Sequence, residues 1–323
     1  MTYAKPFSEL AFTDTAIAGG KGASLGEMTR AGIPVPPGFV VLASSFDEFL
    51  ALTDLEVEID SALHAVDTKK MHTVEEASGK IQALILEAQM PQPIADEILS
   101  SFDALGAEFV AVRSSATSED SKTAAWAGQL DSHMSITRDN VPKVVQECWS
   151  SLFTPRAIFY RFEKNLHKDH ISVAVVVQKM VQSEVSGIAF SVHPVTEDRN
   201  RMIMEAGWGF GDAVVSGSIT PDSYVVEKEP RNIIDINVSS QEKYLQKKKT
   251  DETADEEWGE IIWRDVPQDM KEKQKLTREQ ILQLADLVIK IENHYGFPCD
   301  IEWALEDNTF YITQSRPITT LTK

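Results

Sequence analysis

Residues 109–132, FVAVRSSATSEDSKTAAWAGQLDS, mark the point at which the chain changes its grammar. Before them, residues 44–105 carry helical apolar spacing with short polar breaks, many acids and few glycines, which predicts a helical cap. FVAVR is short, apolar and rich in β-branched residues, and reads as a buried strand. After it come hydroxyls, the acids Glu119 and Asp120, and the small segment Ala127-Gly128-Gln129. Arg113, directly off the strand, can point its guanidinium into a cleft and grip phosphate oxygens through two parallel N–H bonds. Ser114, Ser115 and Thr117 add hydroxyls, and Gly128 allows a close approach of backbone to ligand. A Ser/Thr turn that holds nothing fits the same residues. The tract by itself leaves both readings open.

Working outward, the sheet-like pattern continues downstream. Residues 139–165, DNVPKVVQECWSSLFTPRAIFYRFEKN, predict two helices broken at Pro155. ISVAVVVQKMV (171–181) and VSGIAFSVHP (185–194) predict strands, with a turn in SEVSG (183–187). RMIMEAGWGFG (201–211) and SYVVEK (223–228) read as further strands, and QEKYLQKKKTDETADEE (241–257) as a solvated loop. Thr277-Arg278-Glu279-Gln280 has the form of a capping box, and Ile281, Leu284, Val288 and Ile291 share one helical face before Gly296 and Pro298 end it. DIEWALEDNTFYITQSRPI (300–318) predicts a β-hairpin turning at Asp307-Asn308. Upstream, AIAGGKGASLGEMTRAGIPVPPGFVV (16–41) predicts a helix from about Ala23 to Arg30, a stop at Gly32 and a proline-guided entry into a strand. Together these elements predict an α+β fold with mixed α/β character.

The bulk numbers narrow the function. A chain of 323 residues exceeds the usual single core, so two lobes are expected. With 31 basic and 50 acidic residues the net charge is −19, which argues against a general nucleic-acid or anionic-membrane surface. In such a field an anion must be held by locally concentrated donors. Cys148 and Cys299 are too few for a disulfide framework or a four-ligand zinc site, and both sit among apolar neighbours as small buried thiols. No apolar run approaches membrane-spanning length and the N-terminus has no signal-peptide pattern, so a cytoplasmic protein is expected.

Three places can carry chemistry. Gly19-Gly20-Lys21 lacks the upstream glycine of a phosphate loop, and no strand leads into it as a dinucleotide fingerprint requires. Even so, glycines and a lysine at a helix N-terminus supply amides, a dipole end and a charge to an anion; a plain helix-entry turn is the competing reading. The second place is the Arg113 tract. The third is the C-terminal hairpin, where Glu302 and Gln314 face each other across two strands and offer a carboxylate and an amide oxygen of the kind Mg²⁺ takes. Arg316, two residues beyond Gln314, shares its face; a buried Glu302–Arg316 ion pair is the alternative. Paired-carboxylate glycosidase chemistry and Ser-His-Asp chemistry find no support, because no histidine lies in a matching context.

GGKGASLGEM…GIPVPPGFVV, AVRSSATSED…AWAGQ, VVVQKMV…SGIAF, PDSY and DIEW…FYITQSRPIT occur in this order across residues 8–321. The set resembles the nucleotide-binding domain of phosphoenolpyruvate synthase, pyruvate phosphate dikinase and rifampin phosphotransferase. The resemblance implies an ATP-grasp fold in which two lobes clamp ATP, here residues 1–184 (with the cap at about 44–105) and 185–323. It implies that Lys21 and Arg113 hold phosphates, that Gly128 lies in the loop over them, and that Ser132, standing where the family often has a nucleotide-touching threonine, keeps the hydroxyl of that contact. Gln178 is implied beside the adenosine, Glu302 and Gln314 at a Mg²⁺ site, and Arg316 at a further phosphate contact; Lys21, Arg113 and Arg316 are the implied catalytic residues. In this family ATP is split to AMP, the β-phosphoryl passes to a histidine and the γ-phosphate is released.

Departures from the family pattern are few. Gly209-Phe210-Gly211-Asp212 replaces Gly-Leu-Gly-Glu and shortens its acid by one methylene, and Ala125-Trp126 replaces Ser-Phe. None of the seven histidines lies in the Thr-x-Ser-His phosphoacceptor context, so the swivelling phosphohistidine domain and the pyruvate-binding barrel are expected to lie outside this sequence. The resulting expectation is a Mg·ATP-dependent phosphoryl donor acting on a histidine of a partner chain or further domain. An ATP domain of a rifampin-phosphotransferase-like antibiotic kinase and a non-catalytic ATP-sensing subunit are the alternatives. Glu119 and Asp120 receive no role.

Overall fold

The computed structural model describes residues 2–117, 132–164, 172–248 and 261–321, with the backbone alone at 120–121 and 124–125. Gly128, Glu119 and the side chain of Asp120 therefore lie outside the described residues. The fold is mixed α+β. The chain forms two compact units, Met1–Glu27 with Pro37–Met180, and Met28–Pro36 with Val181–Lys323. These differ from lobes drawn at 1–184 and 185–323 by the segment Met28–Pro36 and by residues 181–184. The segment belongs with the second unit because Ile312 N–H donates to Pro34 O (2.8 Å) and Lys290 Nζ to Gly32 O (2.8 Å). Such pairing, nearly the full chain length apart, leaves no periodic trace in the sequence.

In the first unit, the described elements run β1 (Ala4–Pro6), α1 (Thr15–Arg30), β2 (Gly38–Val41), α2 (Ala43–Leu52), α3 (Glu56–His64), α4 (Met71–Glu87) and α5 (Gln92–Leu105). They continue with β3 (Val110–Ala116), β4 (Ser132–Ile136), α6 (Val141–Ser150), α7 (Pro155–Glu163) and β5 (Val173–Lys179). The expected helical cap is thus α2 to α5, and Pro155 separates α6 from α7, with Thr154 Oγ1 capping α7 through Ala157 N–H (3.2 Å). The sheet has the order β1-β2-β5-β3-β4 among the described residues, with antiparallel neighbours throughout.

Alternation along β3 assigns its two faces. Val110, Val112 and Ser114 turn to α6, where Ser114 Oγ donates to Cys148 O (3.4 Å). Ala111, Arg113 and Ser115 turn to α1, where Ser115 Oγ accepts from Gly22 N–H (3.3 Å) and donates to Ala18 O (3.0 Å). That hydroxyl straps a break in α1. Gly19 has φ +66°, and a Cβ there would stand 2.2 Å from Ser115 O, so only glycine lets the chain pass. The helix predicted from Ala23 starts earlier, at Thr15, and is restarted after this kink.

The second unit holds β6 (Val185–Phe190), β7 (Arg201–Trp208), the short α8 (Asp212–Val215), β8 (Asp222–Glu227) and β9 (Asn232–Asn237). Then follow β10 (Lys243–Lys247), β11 (Ile261–Asp265), α9 (Arg278–Tyr295), β12 (Cys299–Glu306) and β13 (Thr309–Pro317). Its main sheet has the order β9-β8-β7-β6-β12-β13. α9 starts on the predicted capping box, with Gln280 N–H to Thr277 Oγ1 (3.2 Å) and Thr277 N–H to Gln280 Oε1 (2.9 Å), and ends at Gly296. The hairpin turns where expected, with φ +48° at Asp307 and +59° at Asn308. Two expectations change. Within the expected loop at 241–257, residues 243–247 pair with 261–265 as a ribbon while residues 249–257 lie outside the described residues, and SEVSG is half strand, since β6 begins at Val185. Backbone pairing overrides the charge run: lysines stay solvated while their amides join a ladder.

A buried polar network fastens this ribbon to the sheet. Lys275 and Asp222 have no exposed side-chain surface, and Lys275 Nζ donates to Asp222 Oδ1 (2.8 Å) and Ser239 O (2.6 Å). Asp222 Oδ2 also accepts from Tyr224 Oη (2.8 Å) and Lys275 N–H (2.9 Å). Burial first, then the Asp222 carboxylate, push the Tyr224 phenol far above its usual range and keep it a donor. Two residues past Ser239, buried Gln241 takes Trp208 N–H (2.9 Å) and donates to Lys243 O (2.9 Å), joining the end of β7 to the start of β10.

Both cysteines are free and buried as expected. Burial pushes the Cys299 thiol up to about 12, so it stays protonated at pH 8. A disulfide-type thiol reagent at pH 8 should label Cys299 at least roughly 100-fold more slowly in the native protein than in guanidinium. Labelling at equal rates would show that the β12 end of the sheet opens freely.

Candidate functional site

Each unit gathers its own set of polar side chains on one sheet face. In the first unit, β3–β5 register places Arg113 opposite Val176 and Ala111 opposite Gln178, while β3–β4 register places Ser132 opposite Arg113. Directly opposed residues share a face, so Arg113, Gln178 and Ser132 lie together on the α1 side of the sheet. Lys21 stands in the first turn after the Gly19 break, and its Nζ donates to Ser114 O (3.0 Å) on the same strand as Arg113. Gln178 is 3% exposed and Arg113 half-buried. Two cations beside the N-terminal turn of a helix form an anion-attracting surface in an otherwise acidic protein. The sequence-selected residues Lys21, Arg113, Ser132 and Gln178 are therefore brought together within this unit.

In the second unit, Glu302 on β12 and Gln314 on β13 are direct cross-strand partners, followed by a bulge at Thr313. Arg316 lies opposite Asp300 two residues along, on the same face. Its Nε and one terminal nitrogen donate to Asp300 Oδ2 at 2.9 and 2.8 Å. Asp300 is a residue the sequence reading does not single out, although the alternation Asp300-Ile301-Glu302 puts it beside Glu302. Burial pushes its carboxyl up, Arg316 opposes that, and the charge of Glu302 adds to the upward push. The hairpin face thus holds two interacting carboxylates, one amide and one guanidinium.

β7 contributes a residue the sequence reading also passes over. Glu205 alternates with the fully buried Met202, Met204 and Ala206, so it projects from the opposite side of the strand. The register runs Gln314–Glu302–Ile188–Glu205–Ser223 across five adjacent strands, which places Glu205 on the face of Glu302. Burial raises its carboxyl above the usual range. The signal available in the sequence is a single acid inside an apolar alternating run, RMIMEAGW.

Gly209-Phe210-Gly211-Asp212 forms the turn between β7 and α8. Gly209 takes φ +84°, and a Cβ there would meet Leu245 O at 2.3 Å, so the β10 ribbon closes onto it. Ser183 and Ser186 hydroxyls both donate to Gly209 O (3.1 and 2.5 Å), and Phe210 N–H donates to Leu245 O (2.9 Å). Asp212 opens α8.

No set of three or more His, Cys, Asp or Glu side chains among the described residues could enclose a metal by itself. Glu302 and Gln314 supply two oxygens instead. That oxygen donor set suits a hard divalent cation.

The chain matches, over residues 15–323, the family described as pyruvate phosphate dikinase, AMP/ATP-binding domain. A probable phosphoenolpyruvate synthase of Methanocaldococcus jannaschii is 46% identical over 98% of this chain and 26% of its own length. That of Methanothermobacter thermautotrophicus is 42% identical over 99% of this chain and 46% of its own. The rifampicin phosphotransferase of Bacillus subtilis is 36% identical over 97% of this chain and 35% of its own. The chain therefore spans about a quarter to a half of the length of these relatives. A D-alanine–D-alanine ligase structure from Helicobacter pylori overlaps 74% of this chain and 52% of its own, at 12% identity and a TM-score of 0.27, too loosely to argue from. No described helix is long and apolar enough to cross a membrane.

Proposed function

The chain belongs to the pyruvate phosphate dikinase AMP/ATP-binding domain family, and on that premise we propose that it binds Mg·ATP and donates a phosphoryl group to a histidine. The observation that carries this reading is the β12–β13 hairpin, where Glu302 faces Gln314 and Arg316 stands two residues away, held by Asp300. Phosphoryl transfer asks the protein for positioning and charge neutralisation more than for covalent chemistry, and these are the residues that do so.

Glu302 and Gln314 would hold Mg²⁺, which would supply positive charge to offset that of the phosphates. Arg316, oriented by Asp300, would place its charge beside them to offset charge on the transferred phosphoryl group. Lys21 and Arg113 orient phosphate on the α1 side of their own sheet, Ser132 adds a hydroxyl opposite Arg113, and Gln178 offers a buried amide to the nucleoside. Gly128 belongs to the same reading through the family motif alone. The histidine nitrogen attacks the β-phosphorus and the α–β bridging oxygen leaves with AMP; water then attacks the γ-phosphorus, the β–γ P–O bond breaks, and phosphate leaves with the β-phosphoryl kept on the histidine.

The histidine lies in a swivelling domain of the relatives' kind, in the same or a partner chain, and the final acceptor is pyruvate or an antibiotic. The relatives favour pyruvate by identity, 46% against 36%. ATP labelled separately on its β- and γ-phosphates tests this. With a histidine-bearing domain supplied, β-label on the partner, γ-label in free phosphate and AMP as product are expected. ATP that binds but never turns over would leave an ATP-binding domain without the transfer role, and absence of binding at millimolar nucleotide would remove the whole reading.

A further inference from the structure

On β7, the polar face of the second unit's sheet holds a carboxylate that the phosphate-handling residues do not use. Glu205 is half-buried, its carboxyl is raised by burial, and it has no hydrogen-bond or ion-pair partner among the described residues. A carboxylate half removed from water with no protein donor keeps unmet acceptors that a ligand can supply. Its neighbours define what kind of ligand. On one side, Ile188 separates it from Glu302, and along its own strand Ile203 and Gly207 flank it on the same face. On the other side stands the Ser223 hydroxyl, from the PDSY motif, whose Asp222 and Tyr224 serve the buried network on the opposite face.

The face is therefore graded. Carboxylate, amide and guanidinium sit at β12–β13, an isoleucine follows at β6, and a lone acceptor pair stands at β7. Glu205 lies two strand spacings from Glu302, on the order of 10 Å. A carboxylate repels a triphosphate, so it must meet a neutral, proton-donating part of a nucleotide whose phosphates lie at Glu302. We propose that Glu205 is a specificity-determining residue that accepts hydrogen bonds from the vicinal 2′- and 3′-hydroxyls of the nucleotide ribose, through the two oxygens of its carboxylate. The inference rests on the reading of this domain as an ATP site and extends it to sugar recognition. Charge-assisted bonds of this type discriminate against a ligand that lacks the donor, because the half-buried carboxylate then loses those bonds with only partial access to water.

The test compares ATP with 2′,3′-dideoxy-ATP by calorimetry in excess Mg²⁺, on the full chain, for the wild type, Glu205→Ala and Glu205→Gln. The wild type is expected to bind ATP at least about tenfold more tightly than the dideoxy nucleotide. Glu205→Ala is expected to weaken ATP by a similar factor and leave the dideoxy nucleotide unchanged or improved, so that the ratio collapses towards one. Glu205→Gln, nearly isosteric and able to accept one bond, should keep an intermediate ratio and covers the case in which the alanine variant fails to fold. A merely structural role would weaken both nucleotides equally and keep the ratio, which overturns the inference while leaving ATP binding intact. A wild type that does not discriminate overturns it too. A ratio that collapses for inosine triphosphate instead would assign the carboxylate to the base amine and overturn the sugar assignment. A wild type that binds neither nucleotide would overturn the ATP reading itself, and this inference with it.

Discussion

Replacing Arg316 with alanine is expected to slow phosphoryl transfer by about 10³-fold, the low end of what a charge-stabilising arginine supplies at a phosphoryl group. ATP affinity is expected to fall by about tenfold at most, because the charge that Arg316 offsets grows during transfer and the remaining contacts still hold the ground state. The structure gives the substitution a second consequence. Arg316 opposes the upward push that burial and Glu302 exert on the Asp300 carboxyl. Without the guanidinium, Asp300 takes up a proton at higher pH than in the wild type, and the acidic limb of the pH–rate profile should move in the alkaline direction. Arg316→Lys restores the charge but not the two-nitrogen grip on Asp300 Oδ2, and should recover only part of the rate. Rapid-quench measurement with β-labelled ATP reads the transfer step, and calorimetry reads the affinity. The Arg316 side chain is 48% exposed, so an ordinary surface pair worth little is the competing outcome. Transfer at the wild-type rate in Arg316→Ala would establish that outcome.

The second large effect concerns stability. Lys275→Met is expected to destabilise the second unit by about 3–5 kcal/mol, since it leaves Asp222 charged and enclosed with its main counter-charge removed. Asp222→Ala should cost a similar amount, because it strips Lys275 Nζ, Lys275 N–H, Ser239 N–H and Tyr224 Oη of one shared acceptor. Removing both charges together, as Asp222→Leu with Lys275→Met, should cost less than the sum of the two single changes, since neither charge is then left unpaired. Urea unfolding followed by tryptophan fluorescence reports the unit, with Trp208 at the Gln241 joint and Trp303 in the sheet core. A loss below about 1 kcal/mol in both single variants would mean that water reaches the pair, and that the ribbon is held without it, by backbone bonds and the Gln241 joint.

Much of this architecture is legible along the chain because local chemistry specifies it. The capping box at Thr277, the Asp307-Asn308 turn, the break at Pro155 and the helical run over 44–105 each depend on residues within one or two turns of one another. The pairing of Glu302 with Gln314 is legible for the same reason: a short hairpin turn sets the register, and register sets which side chains meet. The ribbon at 243–247 and 261–265 is not legible. Its lysines describe only the solvated side of a strand, and its partner comes after a further stretch of unmatched polar sequence.

The site divides along the same line. Residue type and spacing marked Lys21, Arg113, Glu302, Gln314 and Arg316, because anion- and cation-binding chemistry needs those types next to glycines or on facing strands, whereas Ser132 and Gln178 were marked only by the family resemblance. Asp300 and Glu205 could not be weighted in this way. An acid in an alternating strand acquires meaning only when the neighbouring strands are in register and show which carboxylates share a face. Long-range pairing also moves Met28–Pro36 into the second unit, through bonds to Ile312 and Lys290. The sequence by itself determined the fold class, the secondary elements with strong local signals, and the residue types at the candidate site. Only the tertiary structure decided the division into units, the partner of Arg316 and the face of Glu205, because cross-strand neighbours are set by sheet order, which one-dimensional spacing does not encode.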